Sequence, residues 1–248
     1  MLIATLIAAE ELKAGDISVA RDAIAAGGGQ AGEPLWLDAG KAADLEVTGI
    51  DRPAARAALE NLLPRTDVVV QPIGTRARKL IIADMDSTMI TVECIDELAD
   101  YAGIKEQVAK VTEAAMRGEL DFVAALDARV KLLEGLDTAV IDRCYAERVR
   151  IMPGAKALVR TMKANGARAV LVSGGFTVFA DRVAADIGFD VAISNTLEMA
   201  GGLLTGTVAR PVVDSSVKRA TLLAETEALG LTLEHTLDYV KERKAFGQ

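Results

Sequence analysis

Leu80, Ile81, Ile82 and Ala83 form an unbroken apolar run that stops abruptly at Asp84-Met85-Asp86. No polar residue alternates within it, so a strand there has both faces buried, which is the signature of a parallel sheet covered by helices on both sides. Sheets of that kind carry ligands and reactive groups in the crevice beyond the carboxyl ends of their strands, where Asp84 and Asp86 fall. The run predicts a doubly wound α/β core with chemistry at its rim.

The rest of the chain fits that core and adds a second domain. Residues 168–172 and 190–194 supply further strands, separated by a helix over 176–187 and preceded by helical segments closing at Gly166 and Gly188. Between the first strand and these lies a helical insert. Ile104, Val108, Val111 and Ala115 make one apolar stripe, Phe122, Leu126, Val130 and Leu133 a second, and Thr138 caps a third helix. Residues 197–209 read as a β-hairpin, and 214–229 as a helix ending at Gly230. Upstream, the pattern is strand (2–8), helix capped by Asp16 and stopped by Gly27-Gly28-Gly29, strands 33–38 and 43–48, a helix opened by Asp51 and Pro53, and strand 67–71. That order is ferredoxin-like, and the basic, Pro- and Gly-containing stretch 72–78 marks a domain boundary.

The 248 residues suffice for one large core or two smaller ones. With 28 Lys and Arg against 36 Asp and Glu, the net charge of -8 argues against nucleic acid or an anionic membrane as partner and leaves small charged metabolites. Two cysteines, Cys94 and Cys144, are too few for a disulfide framework and indicate a reducing compartment, the cytoplasm. The apolar start, residues 1–9, has no basic flank and reads as a strand, neither a signal peptide nor a membrane span.

Four features carry chemistry. In Asp84-Met85-Asp86-Ser87-Thr88 one carboxylate can attack phosphorus while the other moves protons, although an isolated D-x-D is more often a polar turn. Ser173-Gly174-Gly175 lies at a strand-to-helix junction, where exposed amides and the helix dipole favour an anion; tight turns use the same residues for geometry alone. Lys218 sits near a helix start, where a cation opposes the dipole; a solvated lysine is the bland reading and a phosphoryl contact the functional one. Arg129 borders an apolar stripe and can either snorkel or clamp a carboxylate, while Glu93 can hold an ammonium or simply start a helix. The single histidine, His235, has no metal-ligand spacing and reads as structural or solvated.

At these residues the chain resembles the haloacid dehalogenase superfamily, in particular its phosphoserine-cleaving branch in the long bacterial form with an N-terminal ACT-like domain. The resemblance implies an ACT-like domain over 1–76 and a phosphatase core over 77–248, with a helical cap at 95–150. It also implies Mg²⁺-dependent hydrolysis of O-phospho-L-serine, the last step of serine biosynthesis. By the same resemblance Asp84 is the nucleophile and Asp86 the general acid and then base. Ser173, the Gly174 amide and Lys218 hold the phosphoryl oxygens, and Glu93, Met116, Phe122 and Arg129 recognise the amino-acid part. Asp84, the Asp86 carbonyl and one more carboxylate would bind the metal.

The match departs after His235-Thr236-Leu237. The family continues with a strand and a Gly-Asp-Gly-x-Asn-Asp motif, whereas this chain reads Asp238-Tyr239-Val240-Lys241-Glu242 and puts Lys241 where a metal-binding aspartate stands. The expectation is a core lacking its C-terminal strands, with an open edge beside the strand ending at Asp84 that Tyr239 and Val240 patch only briefly. A second copy pairing across that edge would make a homodimer. Glu242 and Asp238 are the substitute metal ligands on offer. Two further readings are a non-catalytic relative binding a small ligand such as serine, and a tail from Asp238 that is foreign to the parental sequence.

Overall fold

In a computed structural model the chain divides into two compact units, Met1–Ala77 and Arg78–Gln248. Residues 1–239 are described.

The first unit runs β1 (Leu2–Ala8), α1 (Ala14–Ala26), β2 (Gln30–Ala31), β3 (Leu35–Asp38), β4 (Ala42–Thr48), α2 (Arg52–Leu59) and β5 (Thr66–Pro72). β1 lies between β4 and β5, and both β2 and β3 pair with the far side of β4, every pairing antiparallel. The strand expected over 33–38 begins only at Leu35, after Pro34, which has no N–H to give a ladder, and a further short strand, β2, precedes it at Gln30–Ala31. α1 also begins earlier than Asp16: that carboxylate sits in the first turn and accepts the Lys13 N–H at 2.8 Å. α2 starts as its sequence dictates, with the Asp51 side chain accepting from the Ala54 amide at 2.8 Å. The core is one-sided. Ala4, Leu6 and Ala8 of β1 and Ala43, Leu45 and Val47 of β4 pack on Ile17, Ala20 and Ile24 of α1 and Ala55 and Leu59 of α2.

The second unit begins with β6 (Leu80–Ala83). Four helices follow, α3 (Cys94–Tyr101), α4 (Lys105–Met116), α5 (Phe122–Lys131) and α6 (Ala139–Arg148). Then come α7 (Ala155–Ala164), β7 (Arg168–Phe176), α8 (Thr177–Ile187), β8 (Val191–Asn195), the hairpin β9 (Leu197–Ala200) and β10 (Leu203–Val208), α9 (Ser215–Ala228) and β11 (Thr236–Tyr239). The parallel sheet has the order β11-β6-β7-β8. The apolar run of β6 is explained residue by residue. Leu80 and Ile82 join Val170 and Val172 on one face, against Val213, Leu222 and Leu231, while Ile81 and Ala83 join Ala169 and Leu171 on the other, in the large cluster that includes Val159, Phe179 and Val183.

β11 corrects the expectation of an open edge beside β6. Thr236 to Tyr239 pair in parallel with Leu80 to Ala83, so β6 has a neighbour on each side. Thr236-Leu237-Asp238-Tyr239 has a strand's alternation, with Leu237 packed on the large core cluster, so the pairing begins earlier than the brief patch expected at Tyr239 and Val240. Of the two substitute metal ligands on offer, Asp238 lies in β11 and is not among the residues lining the cavity at the carboxyl end of β6, and Glu242, like Val240 and Lys241, lies outside the described residues. Thr138 does not cap α6 with its hydroxyl. Asp137 accepts the Ala139 amide at 2.8 Å, and the Thr138 hydroxyl donates to the Gly202 carbonyl at 3.0 Å. No helix among the described residues is long and apolar enough to cross a membrane.

Candidate active site

The carboxyl ends of β6 and β7 face a cavity of about 290 Å³ lined by Asp84, Asp86, Glu93, Phe122, Arg129, Ser173, Gly174 and Lys218 among others. Eight of the nine residues singled out from sequence are thereby gathered in one place. The ninth, Met116 at the end of α4, is 61% exposed and is not among the lining residues.

Each side chain is held by local structure. Asp84 follows β6 directly, and its Oδ1 lies 3.6 Å from the Lys218 ammonium. Lys218 stands in the first turn of α9, whose start is fixed by Asp214: one carboxylate oxygen accepts from the Ser216 amide (2.8 Å), the Ser216 hydroxyl (2.6 Å) and the Val217 amide (3.2 Å). Those bonds, the hydroxyl's first, hold the Asp214 carboxyl below the usual range, so this acid caps the helix as an anion. The lysine's place against the dipole is thus explained by a nearby carboxylate.

Asp86 accepts the Cys94 amide at 3.2 Å, at the start of α3. Burial pushes its carboxyl up to about 7, the charge of Glu93 adds to this, the Cys94 bond opposes it, and the charge of Asp84 contributes least. A carboxyl poised near neutrality can give and take a proton under ordinary conditions. Between the two acids and Glu93, Ser87 adopts a left-handed backbone (φ 51°), and its hydroxyl donates to Glu93 Oε1 at 2.7 Å. A non-glycine residue held there marks a turn that the surroundings over-determine.

On the opposite wall, Ser173 is 2% exposed and its Oγ accepts the Gly175 amide at 2.9 Å, which leaves the hydroxyl hydrogen to point elsewhere. Space is tight at both glycines. A Cβ on Gly174 would come within 3.0 Å of the Phe122 ring, and one on Gly175 within 2.8 Å of both Asp86 Oδ2 and Met85 Cε. Arg129 is half-buried on α5 and its Nε donates to the Ala125 carbonyl at 3.2 Å.

Sequence reasoning missed Asp214 and Ser215 as lining residues, and it missed Asp96. Burial raises the Asp96 carboxyl, with Glu93 adding to the shift and Arg129 opposing it, which places this acid in the field of both Glu93 and Arg129. The Asp-Ser-Ser start of α9 was legible as a cap; its facing a cavity was not. His235 is a structural residue, its Nδ1 2.9 Å from the Thr232 hydroxyl. Among the described residues no three His, Cys, Asp or Glu side chains are grouped to hold a metal.

The sequence profile of the haloacid dehalogenase-like hydrolases matches residues 81–237. Phosphoserine phosphatase of Archaeoglobus fulgidus is 47% identical over 154 residues, 61% of this chain and 44% of that protein. Phosphoserine phosphatase of Streptomyces coelicolor is 43% identical over 200 residues, 79% of this chain and 48% of its own length. The chain thus spans about half the length of these relatives. Among solved structures, a phospho-aspartyl intermediate analogue of phosphoserine phosphatase superposes with a TM-score of 0.60 at 35% identity, covering 65% of this chain and 77% of that one.

Proposed function

Because the chain belongs to the haloacid dehalogenase-like hydrolases, we propose that it is a phosphomonoesterase acting on O-phospho-L-serine, as the names of its relatives suggest, in the last step of serine biosynthesis. The observation that carries the reading is the convergence in one cavity of an Asp84 carboxylate facing Lys218, the Ser173-Gly174 turn, and a Glu93 and Arg129 pair of opposite charge.

The roles follow from the chemistry. Asp84 attacks phosphorus and becomes an aspartyl-phosphate as the bond to the seryl oxygen breaks; Asp86, carrying a proton near neutrality, hands it to that oxygen. Asp86, now a carboxylate, takes a proton from water as the water attacks phosphorus, and Asp84 is released with inorganic phosphate. Lys218, the Ser173 hydroxyl and the Gly174 amide hold the phosphoryl oxygens as charge spreads over them. Arg129 receives the substrate carboxylate and Glu93 its ammonium, with one Glu93 oxygen already oriented by Ser87. Phe122, packed close to Gly174, limits water over the turn.

A divalent cation belongs to this reading. Asp84 and Asp86 repel one another enough to shift the latter, and an all-oxygen pair suits Mg²⁺, which takes one or two carboxylates with water and substrate phosphate. Asp84 and the Asp86 carbonyl would hold it, and when bound it neutralises charge on the transferring group. The same reading makes 1–76 an ACT-like domain, 95–150 a cap with Met116 in its recognition set, and the protein a cytoplasmic enzyme that forms a homodimer.

The test is phosphate release from O-phospho-L-serine with and without Mg²⁺, beside Asp84→Asn. Magnesium-dependent release that falls by about a thousandfold or more in the variant is expected. Equal release by the variant would remove Asp84 as nucleophile, and no release by the folded parent would leave a binding protein.

A further inference from the structure

Two walls of the cavity come from parts of the chain far apart in sequence, the Ser173-Gly174-Gly175 end of β7 and the start of α9, and one buried side chain holds both. Asn195 closes β8 and is 2% exposed. Its Nδ2 donates to the Gly174 carbonyl at 2.9 Å and to the Val213 carbonyl at 3.2 Å, and its Oδ1 accepts the Val213 amide at 2.7 Å. The orientation of this amide is forced by its partners, since a carbonyl needs the nitrogen and an N–H needs the oxygen. Both donors are committed, so neither an apolar residue nor a carboxylate can replace it without leaving buried backbone groups unpaired.

We propose that Asn195 is a positioning residue that sets the distance between the anion-binding turn and the Lys218 ammonium. The inference rests on the phosphomonoester reading above and adds a residue that lines no part of the cavity. On one side, a trans peptide points the Gly174 carbonyl and the Gly175 N–H in opposite directions, so the Asn195 bond to the first and the Ser173 bond to the second brace one plane. That plane fixes which way the Ser173 hydroxyl faces. On the other side, both backbone groups of Val213 are gripped immediately before Asp214, the cap that sets the first turn of α9 and with it Lys218. A phosphoryl group needs Ser173 and Lys218 at the same time, and a small drift of one wall against the other costs transition-state stabilisation while leaving the amino-acid contacts of Glu93 and Arg129 in place.

The experiment uses the full chain and its Asn195→Asp variant, which keeps the size and the acceptor for Val213 but loses both donors; Asn195→Ser is read instead if the first does not fold. Backbone amide exchange should quicken about tenfold in residues 173–176 and 213–218 together, with β10 unchanged. With O-phospho-L-serine and Mg²⁺, kcat should fall about tenfold to a hundredfold while KM moves by less than about threefold. Exchange that quickens in one segment alone, or an unchanged kcat in a folded variant of an active parent, overturns the proposal. A parent without turnover removes the hydrolase reading and not this one, which the paired change in exchange then decides.

Discussion

The two sheets of this protein use similar apolar residues to opposite ends. In the first unit Ala4 and Leu6 of β1 are fully buried against the helices, while on the other face Ile3 and Thr5 are covered and Ile7, near the strand's end, is 44% exposed. In the second unit every residue of β6 has no exposed surface at all. A sheet covered on both faces leaves its strand ends as the accessible place for polar groups, and that is where Asp84, Ser173 and their neighbours stand. The buried acids differ in the same sense. Asp44 of the first unit, 2% exposed, is spent on the Thr5 hydroxyl at 2.6 Å and on the Arg76 guanidinium. Asp84 keeps its lysine at 3.6 Å and opens on a cavity. A satisfied carboxylate is structure; one held at a distance from its counter-charge is available for chemistry.

The largest effect expected from this contrast is at Gly175. The Cβ of Gly175→Ala would press on both the buried Met85 Cε and the Asp86 carboxylate, and displacing the latter should lower kcat by about a hundredfold or more in a chain that still folds. Phosphate release and circular dichroism on one sample check it, and a fully active variant would mean that the rim tolerates what its packing forbids. Next comes Asp44→Ala, which strands Thr5 and the Arg76 cation and should cost about 3 kcal/mol. Urea unfolding followed at Trp36 of the same unit measures it. A loss below about 0.5 kcal/mol would place Asp44 with ordinary surface acids.

How much of this was legible depends on how local the cause is. The β6 strand, the Asp51 cap and the acids after Ala83 are written in adjacent residues, and periodicity or capping chemistry reads them directly. Arg129 stood out from its place beside the apolar stripe of its helix, whereas Phe122 entered only through the family resemblance, its spacing being that of ordinary core packing. Asn195 was not read, because its three partners lie 18 to 21 residues away and a lone Asn after Ser194 looks like a strand end. β11 was not read either. Thr236-Leu237-Asp238-Tyr239 is too short to announce itself, and only the open side of β6 explains why it pairs. Pro34 gave a local signal for the break before β3, and the reading of one strand over 33–38 passed over it.

Asp86 sharpens the comparison through pH. Its folded carboxyl titrates at about 7 against an ordinary 3.8, so the protonated form is favoured in the fold. Stability from this group is complete below about pH 4 and is lost as pH rises through 7. The shift corresponds to an upper bound of about 4 kcal/mol, and water in the cavity reduces it, so Asp86→Asn should stabilise the metal-free chain by roughly 2 kcal/mol at pH 8 and by little at pH 4. Thermal melts at the two values decide. An equal effect at both would show that Asp86 is ionised throughout.

The smallest effect is expected where the first sheet has no helix against it. Ile7→Thr keeps a β-branched side chain on β1, opposite Ala42 of β4 and Asp67 of β5, at a position 44% exposed. Little apolar area is lost, the strand preference is retained, and the hydroxyl meets solvent, so unfolding should shift by less than about 0.5 kcal/mol. Its neighbour supplies the contrast: Leu6→Ala empties a site with no exposed surface and should cost about 3 kcal/mol. Two adjacent residues on one strand would then differ several-fold because the pleat turns them to opposite faces. In β6 the same pairing of substitutions, Ile81→Ala beside Ile82→Ala, should cost similar amounts, since both faces there are core. If Ile7→Thr cost as much as Leu6→Ala, the open face of β1 would be packed in solution, and the contrast between a one-sided and a two-sided sheet would fall with it.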